Sequence, residues 1–263
     1  MPRITILGSG AAPGVPAIAM GWGDCNPNNP KNRRLRAGTY IEYENAKILI
    51  DTSPDLRMHL LNNNIRYLDG VLLTHTHSDH LHGIDDLREI NRISRGPLDF
   101  FATAEDMKVV HERFGYLFAD VAKECNPLYR AYLMPRTIEY GKEFFIGDVS
   151  VVPLQLEGHN IGSTGYIFNG GEIVHISDFK RLHDEDVEKL RGKVGVMIMP
   201  LTTPHQCKFH ANIDEVLQYA EIIRPQKLII NHMAVECDYD AISAQMPDFA
   251  EVAYDGMTIE LKE

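Results

Sequence analysis

Short apolar, β-branched runs broken by turn residues dominate the chain. Ile4–Leu7, Thr39–Tyr43, Lys47–Ile50, Val71–Thr74, Val149–Leu154, Gly165–Phe168, Glu172–Ile176, Val194–Met199 and Lys227–Asn231 each stop at Gly, Pro, Asp or His, the punctuation expected of strands. Several are apolar at consecutive positions, as strands covered on both faces are. Between them, helical patterns fall over Leu56–Asn63, Ile84–Ile93, Ala104–Phe118, Asp184–Leu190 and Ile213–Ile223. Ser53 or Asp55 offers an N-cap to the first, and Asn212 or Asp214 to the last. The first third is largely strands and the order then alternates, which predicts two sheets sandwiched between helices around one continuous core. Cys125–Gly147 is the least regular piece, carrying Pro127, Tyr129, Tyr132, Pro135, Tyr140, Phe144 and Phe145. It reads as a hairpin with aromatic packing, or else as a cap near a pocket.

Composition narrows the class. At 44% hydrophobic and 24% charged, the 263 residues are ordinary for a globular protein and exclude a disordered chain, a coiled coil or a fibre. No apolar run reaches the roughly 20 residues that span a bilayer, and MPRITILGSG lacks the apolar stretch of a secretion signal. Four scattered cysteines make no disulfide framework, so a reducing, cytoplasmic location is expected. With 26 Lys+Arg against 37 Asp+Glu the net charge is −11. Such a surface disfavours a long nucleic acid as partner but not a small phosphate ester. No membrane partner is expected, and a homodimer is allowed.

The unusual number is 12 His, and their placement carries the chemistry. Val71-Leu72-Leu73 runs directly into Thr74-His75-Thr76-His77-Ser78-Asp79-His80. Three His and an Asp at the end of a buried strand are unfavourable unless something binds them, and imidazole with carboxylate suits Zn, Mn or Fe. The i, i+2 spacing lets His75 and His77 address one metal, while Asp79 and His80, past the turn, can face a second. His159, Asp178 and His232 follow three later strands, and ligands at the carboxyl ends of strands converge in open α/β architectures.

His75-x-His77-x-Asp79-His80, followed by His159, Asp178 and His232 in that order, resembles the metallo-β-lactamase superfamily over nearly the whole chain. The resemblance implies an α/β, four-layer αββα sandwich formed by residues 1–263 as a single domain, and a hydrolase holding two divalent metal ions (Zn or Mn, with Fe also admitted). It would put His75, His77 and His159 on one metal, Asp79, His80 and His232 on the other, and Asp178 between them, with a bridging hydroxide as nucleophile. Asp51, which ends Ile48-Leu49-Ile50, matches the Asp that supports the site from behind.

A narrower likeness lies in Gly8-Ser9-Gly10-Ala11-Ala12-Pro13-Gly14-Val15-Pro16 and Asn32-Arg33-Arg34-Leu35-Arg36. Both are similar to cyclic phosphodiesterases of the carbon–phosphorus lyase pathway, themselves related to the nuclease that trims tRNA 3′ ends. In those relatives a further His shortly before a helix is proposed to protonate the leaving oxygen. Phe209-His210-Ala211-Asn212 matches it, with His205 as the second choice. The residues implied to carry the chemistry are thus His210, Asp79 and Asp51. The structural zinc site of the pathway enzyme is not matched: only Cys25 remains, and Val235 stands where a His would follow the last ligand. The basic arm that grips tRNA is also not evident.

Gly8-x-Gly10 lacks the third glycine of a dinucleotide loop, Pro13 taking that place; a tight turn after the first strand is expected instead. Arg33, Arg34 and Arg36 are expected to be a solvated loop patch rather than a phosphate grip. His59, His82, His111, His175 and His183 fit no ligand pattern. The leading expectation is a phosphodiesterase acting on small or cyclic nucleotide or ribose phosphate esters. The alternative is a thioester or lactone hydrolase. A redox di-iron protein is disfavoured by His77, where Glu would be usual, and by the lack of a flavin domain. A non-catalytic relative is disfavoured by the complete ligand set.

Overall fold

A computed structural model describes residues 1–118 and 130–261. The first sheet takes β1 (Arg3–Gly8), β2 (Gly38–Glu42), β3 (Lys47–Ile50), β4 (Gly70–Leu72), β5 (Leu98–Thr103) and β6 (Leu133–Ile138) in chain order. The second takes β7 (Phe144–Ile146), β8 (Val149–Leu156), β9 (Ser163–Phe168), β10 (Ile173–His175), β11 (Val196–Pro200), β12 (Lys227–Asn231) and β13 (Ala250–Val252). The last strand, β14 (Met257–Glu260), returns to pair with β1, so each sheet has seven strands, ordered β14-β1-β2-β3-β4-β5-β6 and β13-β12-β11-β10-β9-β8-β7.

Each sheet is half antiparallel and half parallel. In the first, β3, β4, β5 and β6 are mutually parallel; in the second, β10, β11, β12 and β13 are. Parallel neighbours need crossovers, and helices supply them. They are α1 (Leu56–Asn62), α2 (Ser78–Leu81), α3 (Arg88–Ser94), α4 (Ala104–Phe114), α5 (Asp184–Leu190), α6 (Ile213–Ile223) and α7 (Tyr239–Ser243). All nine expected strands and all five expected helices are present, in the expected αββα sandwich. The helical pattern at Ile84 opens with a 3-10 turn, Ile84–Leu87, before α3, and the Ala104 pattern ends in another, Gly115–Phe118.

Three expectations change. The core is divided rather than continuous. Ile4, Ile48, Leu72, Tyr166, Val174 and Ile198 fill one apolar cluster, whereas Leu7, Leu49, Val71, Leu81, Leu87 and Phe100 fill another. Successive side chains of a strand point to opposite faces, so Ile48 and Leu49, or Val71 and Leu72, feed different layers. The piece expected as a hairpin is not one: β6 pairs with β5 and β7 with β8, so residues 139–143 cross from one sheet to the other. Its portion 119–129, with Cys125, Pro127 and Tyr129, lies outside the described residues. Finally, Asp55 occupies the N-cap position of α1 without bonding its backbone, because its carboxylate is taken by Arg36 at 2.7 and 2.8 Å. Asn212 does cap α6, in a reciprocal pair with Glu215.

The first strand, α1 and the 36–38 segment close over His59, which is buried. A Cβ at Gly8 would lie 2.1 Å from the Arg36 carbonyl and 2.7 Å from the His59 ring, and one at Gly38 would lie 2.9 Å from the ring. Only glycine permits this approach. Burial pushes the His59 imidazole down to about 4, the Asp55 carboxylate offsetting it only in part. An imidazole held neutral contributes stability that is fully present above the unfolded value of about 6.5 and is lost as pH falls toward the folded value. Between pH 7.5 and pH 5 this group is expected to lower the unfolding free energy by about 2 kcal/mol. Urea midpoints across that window should fall less steeply in His59→Gln than in the unsubstituted protein; parallel profiles would show that another group is responsible.

Candidate metal centre

The ligand candidates stand where the parallel strands of both sheets end. Asp51 follows β3, His75 and His77 follow β4, and Asp79 and His80 occupy α2. Asp178 follows β10 and His232 follows β12, while His159 comes from the antiparallel strand β8. Two of these positions have left-handed backbone. Asp51 and His232 have φ of 65° and 55°, a region that non-glycine residues enter uncommonly and Asp and His more readily than most. Backbone of this kind clusters at functional sites. The short helix α2 is pinned against the strand β3 exit: the Thr52 amide donates to the His80 carbonyl at 2.7 Å and the Gly83 amide to the Thr52 carbonyl at 2.8 Å. A Cβ at Gly83 would meet the Ser53 carbonyl at 2.0 Å, so glycine is required.

The side chains form two groups, His75, His77, His159 and Asp178 in one, and Asp79, His80 and His232 in the other, with ligand atoms in each within 4.8 Å of one another. His77 Nδ1 lies 3.0 Å from both His75 Nε2 and His159 Nε2. His80 Nε2 and His232 Nε2 lie 3.2 and 3.5 Å from Asp79 Oδ2. Asp178 touches both groups: its carboxylate lies 3.9 Å from His75, 3.8 Å from His159, 3.8 Å from His80 and 3.3 Å from His232.

These contacts are close, yet His80 Nε2, His232 Nε2 and Asp178 Oδ1 are buried without a hydrogen-bond partner. Three such atoms in one cluster would be costly to leave unpaired. Lone pairs that approach one another without aligning are explained by cations held between them. The donor set of imidazole and carboxylate, with no thiolate, suits divalent metal ions.

The protonation balance agrees at Asp178, Asp79, His75 and His159. Burial favours neutral carboxyls, but for Asp178 the imidazoles of His232, His80 and His75 outweigh it, and for Asp79 those of His80 and His232 do; both are held well below the usual carboxylate range. Burial lowers His75 and takes His159 down to about 4, which keeps their lone pairs available to a metal. His80 is opposite in direction: burial works to lower it, but Asp51 and Asp79 hold it well above its ordinary value. Asp51 does this through His80 Nδ1 at 2.7 Å. It is itself fixed by the Thr74 amide and hydroxyl, both at 2.8 Å, and Ser177 donates to that hydroxyl at 3.0 Å.

A cleft of about 250 Å³ opens onto the cluster, lined among others by Ala11, Ala12, Pro13, Thr202, Phe209 and His210. His210 thus stands at the cleft, its ring centroid 4.9 Å from that of His159. His205 is exposed and does not line it. The glycine-rich opening passes the site as backbone: Gly10 bridges both Arg36 and Met233, beside His232. The arginines are not a solvated patch. Arg33 is exposed against Trp22, Arg36 is paired with Asp55, and Arg34 is 2% exposed. The Arg34 guanidinium reaches the Ala234 carbonyl and the Asn32 side chain at 3.3 and 3.2 Å, so burial is offset by local acceptors. None of the three lines the cleft.

Thr202 went unnoticed in the sequence. Its hydroxyl lies 3.3 Å from His210 Nδ1 and 3.2 Å from His232 Nδ1, linking the two imidazoles. Thr74 and Ser177 were missed in the same way. A hydroxyl carries no spacing signal, although Thr202 sits just beyond β11 as His232 sits just beyond β12.

Comparison with known proteins bears out the resemblance drawn from the motifs. A family model described as "Beta-lactamase superfamily domain" matches residues 46–233. An octanoyltransferase of Porphyromonas gingivalis (strain ATCC BAA-308 / W83) is 28% identical over 266 residues, which cover 99% of this chain and 52% of that protein. The chain therefore spans about half the length of this curated relative. A solved diphosphatase of the PhnP family is 25% identical, with a TM-score of 0.88 over 100% of this chain and 98% of its own. Zn(2+)-bound PqqB from Methylobacterium extorquens is 18% identical, with a TM-score of 0.76 over 98% of this chain and 100% of its own; this last likeness speaks for the fold alone. No helix among the described residues is long and apolar enough to cross a membrane.

Proposed function

The chain belongs to the beta-lactamase superfamily domain family, and from that premise we propose that it is a dinuclear metal-dependent phosphodiesterase acting on small or cyclic nucleotide or ribose phosphate esters. One observation carries the reading: two ligand groups share Asp178 at the floor of a cleft that also presents His210. That both sheets contribute ligands supports reading residues 1–263 as one domain. The diphosphatase likeness supports phosphoryl chemistry.

In this reading His75, His77 and His159 hold one cation, Asp79, His80 and His232 hold the other, and Asp178 spans them. Zn, Mn and Fe all suit such ligands. Bound cations would supply a nucleophile at neutral pH and neutralise charge on the phosphoryl oxygens. Asp51 fixes the His80 ring through its Nδ1, the outer-shell role that sets tautomer and orientation.

The leaving oxygen needs a proton, and the Thr202 hydroxyl sets up His210 to give it. If His232 binds through Nε2, its Nδ1 carries the proton and donates to Thr202 Oγ1. The Thr202 oxygen has two lone pairs, so it can also accept from Nδ1–H of a doubly protonated His210. That imidazolium would pass its Nε2 proton to the leaving oxygen and return to the neutral ring, as a general acid does.

A second reading is favoured by one observation, the octanoyltransferase relative: the same centre would hydrolyse an acyl thioester. The two separate on substrates. With Mn or Zn loaded, bis(p-nitrophenyl) phosphate and ribose cyclic phosphates are expected to give kcat/KM at least about 100-fold above octanoyl pantetheine. Thioester turnover without diester turnover would replace the first reading by the second.

A further inference from the structure

We propose that Phe209 is the seat of a planar aromatic group on the leaving-group side of the cleft, making the preferred substrates nucleotide-like esters with a base and a phosphate. The proposal rests on the phosphodiesterase reading and deepens it. Phe209 is 39% exposed although it lines the cleft. An aromatic ring left open beside a buried cluster offers a recognition surface, and the backbone that carries this one is anchored. Its carbonyl lies 3.4 Å from His159 Nδ1, and His210, the next residue, is tied to Thr202. The backbone at 209 is therefore anchored beside both a candidate ligand imidazole and the candidate proton donor.

Away from the candidate metal ligands, one wall of the cleft suits a flat, uncharged group. Ala11, Ala12, Pro13 and Ala234 offer little side-chain bulk and are contiguous, the Ala11 amide bonding the Met233 carbonyl at 3.1 Å. A cation stands next to this ring. The Lys208 ammonium lies 5.1 Å over the Phe209 ring and, among the described residues, has no carboxylate partner. In a chain of net charge −11 a cation beside the cleft residue Phe209, without a carboxylate partner among the described residues, favours an anionic ligand. An acyl chain would fill the alanine wall but draw nothing from Lys208, whereas a base carrying phosphate uses the ring, the wall and the cation together.

Stacking of a base on an aromatic side chain is sequence-tolerant and strong enough to read directly. By calorimetry on the metal-loaded protein, adenosine 5′-monophosphate is expected to bind about 10–100-fold more tightly than ribose 5-phosphate. Phe209→Leu should bring the ratio to within about threefold, and Phe209→Trp should retain it. A ratio near one in the unsubstituted protein, or one that survives Phe209→Leu, overturns the seat while diester hydrolysis persists. If bis(p-nitrophenyl) phosphate is not hydrolysed at all, the phosphodiesterase reading has failed and the seat falls with it.

Discussion

Asp178→Ala is expected to reduce kcat/KM for phosphodiesters by at least about 10³-fold, the several kcal/mol that charge stabilisation at a metal centre supplies. The expectation follows from position. Asp178 is buried, and among the described residues its carboxylate alone lies within 4 Å of imidazoles of both groups, His75 and His159 in one and His80 and His232 in the other. Each other ligand candidate belongs to one group; losing Asp178 would remove the anion that lies against both. The imidazoles left behind would repel one another once charged, so the defect cannot be repaired by protonation. Metal content by elemental analysis should fall from two equivalents to one or none, with the far-ultraviolet circular dichroism spectrum unchanged. Asp178→Asn, which preserves volume but not charge, should share the loss. Two retained equivalents with less than about a tenfold change in rate would remove Asp178 from the centre.

The candidate metal cluster was legible because it obeys two constraints at once. Its residues are chemically expensive in isolation, and they must sit where strands end, so His75, His77, Asp79, His80, His159, Asp178 and His232 stand out against apolar runs. The strands missed are those in which other demands erase the pattern. LMPRTI in β6 carries Pro135 and Arg136, tolerated because β6 is a sheet edge. The strands β7, β13 and β14 have three or four residues, too short for alternation to register. LDFFAT in β5 was hidden between two helical patterns, although its apolar run was present. The helix α2 has four residues and coincides with the metal motif, so its residues were assigned to chemistry before structure. The arginine segment misled for another reason: charge suggests solvent, and nothing local announces that Arg34 finds acceptors at Asn32 and Ala234, the latter 200 positions away.

His210→Ala is expected to discriminate among substrates by their leaving groups. A ribose or alkyl oxygen departs poorly as an alkoxide and needs a proton in the transition state. For such diesters the substitution should lower kcat by about 10²–10⁴-fold, the usual worth of a positioned acid. A p-nitrophenolate leaves readily as the anion, so the loss for bis(p-nitrophenyl) phosphate should stay below about tenfold. The contrast matters more than either number, because His210 also packs against His159 at 4.9 Å and its carbonyl receives the Lys180 ammonium at 3.3 Å. A defect transmitted through His159 or through the start of α6 would slow both substrates alike. Equal losses would therefore reject His210 as the acid and leave it a packing residue of the cleft wall. A loss confined to poor leaving groups, with metal content unchanged by elemental analysis, is the result expected of a proton supplied by this imidazole.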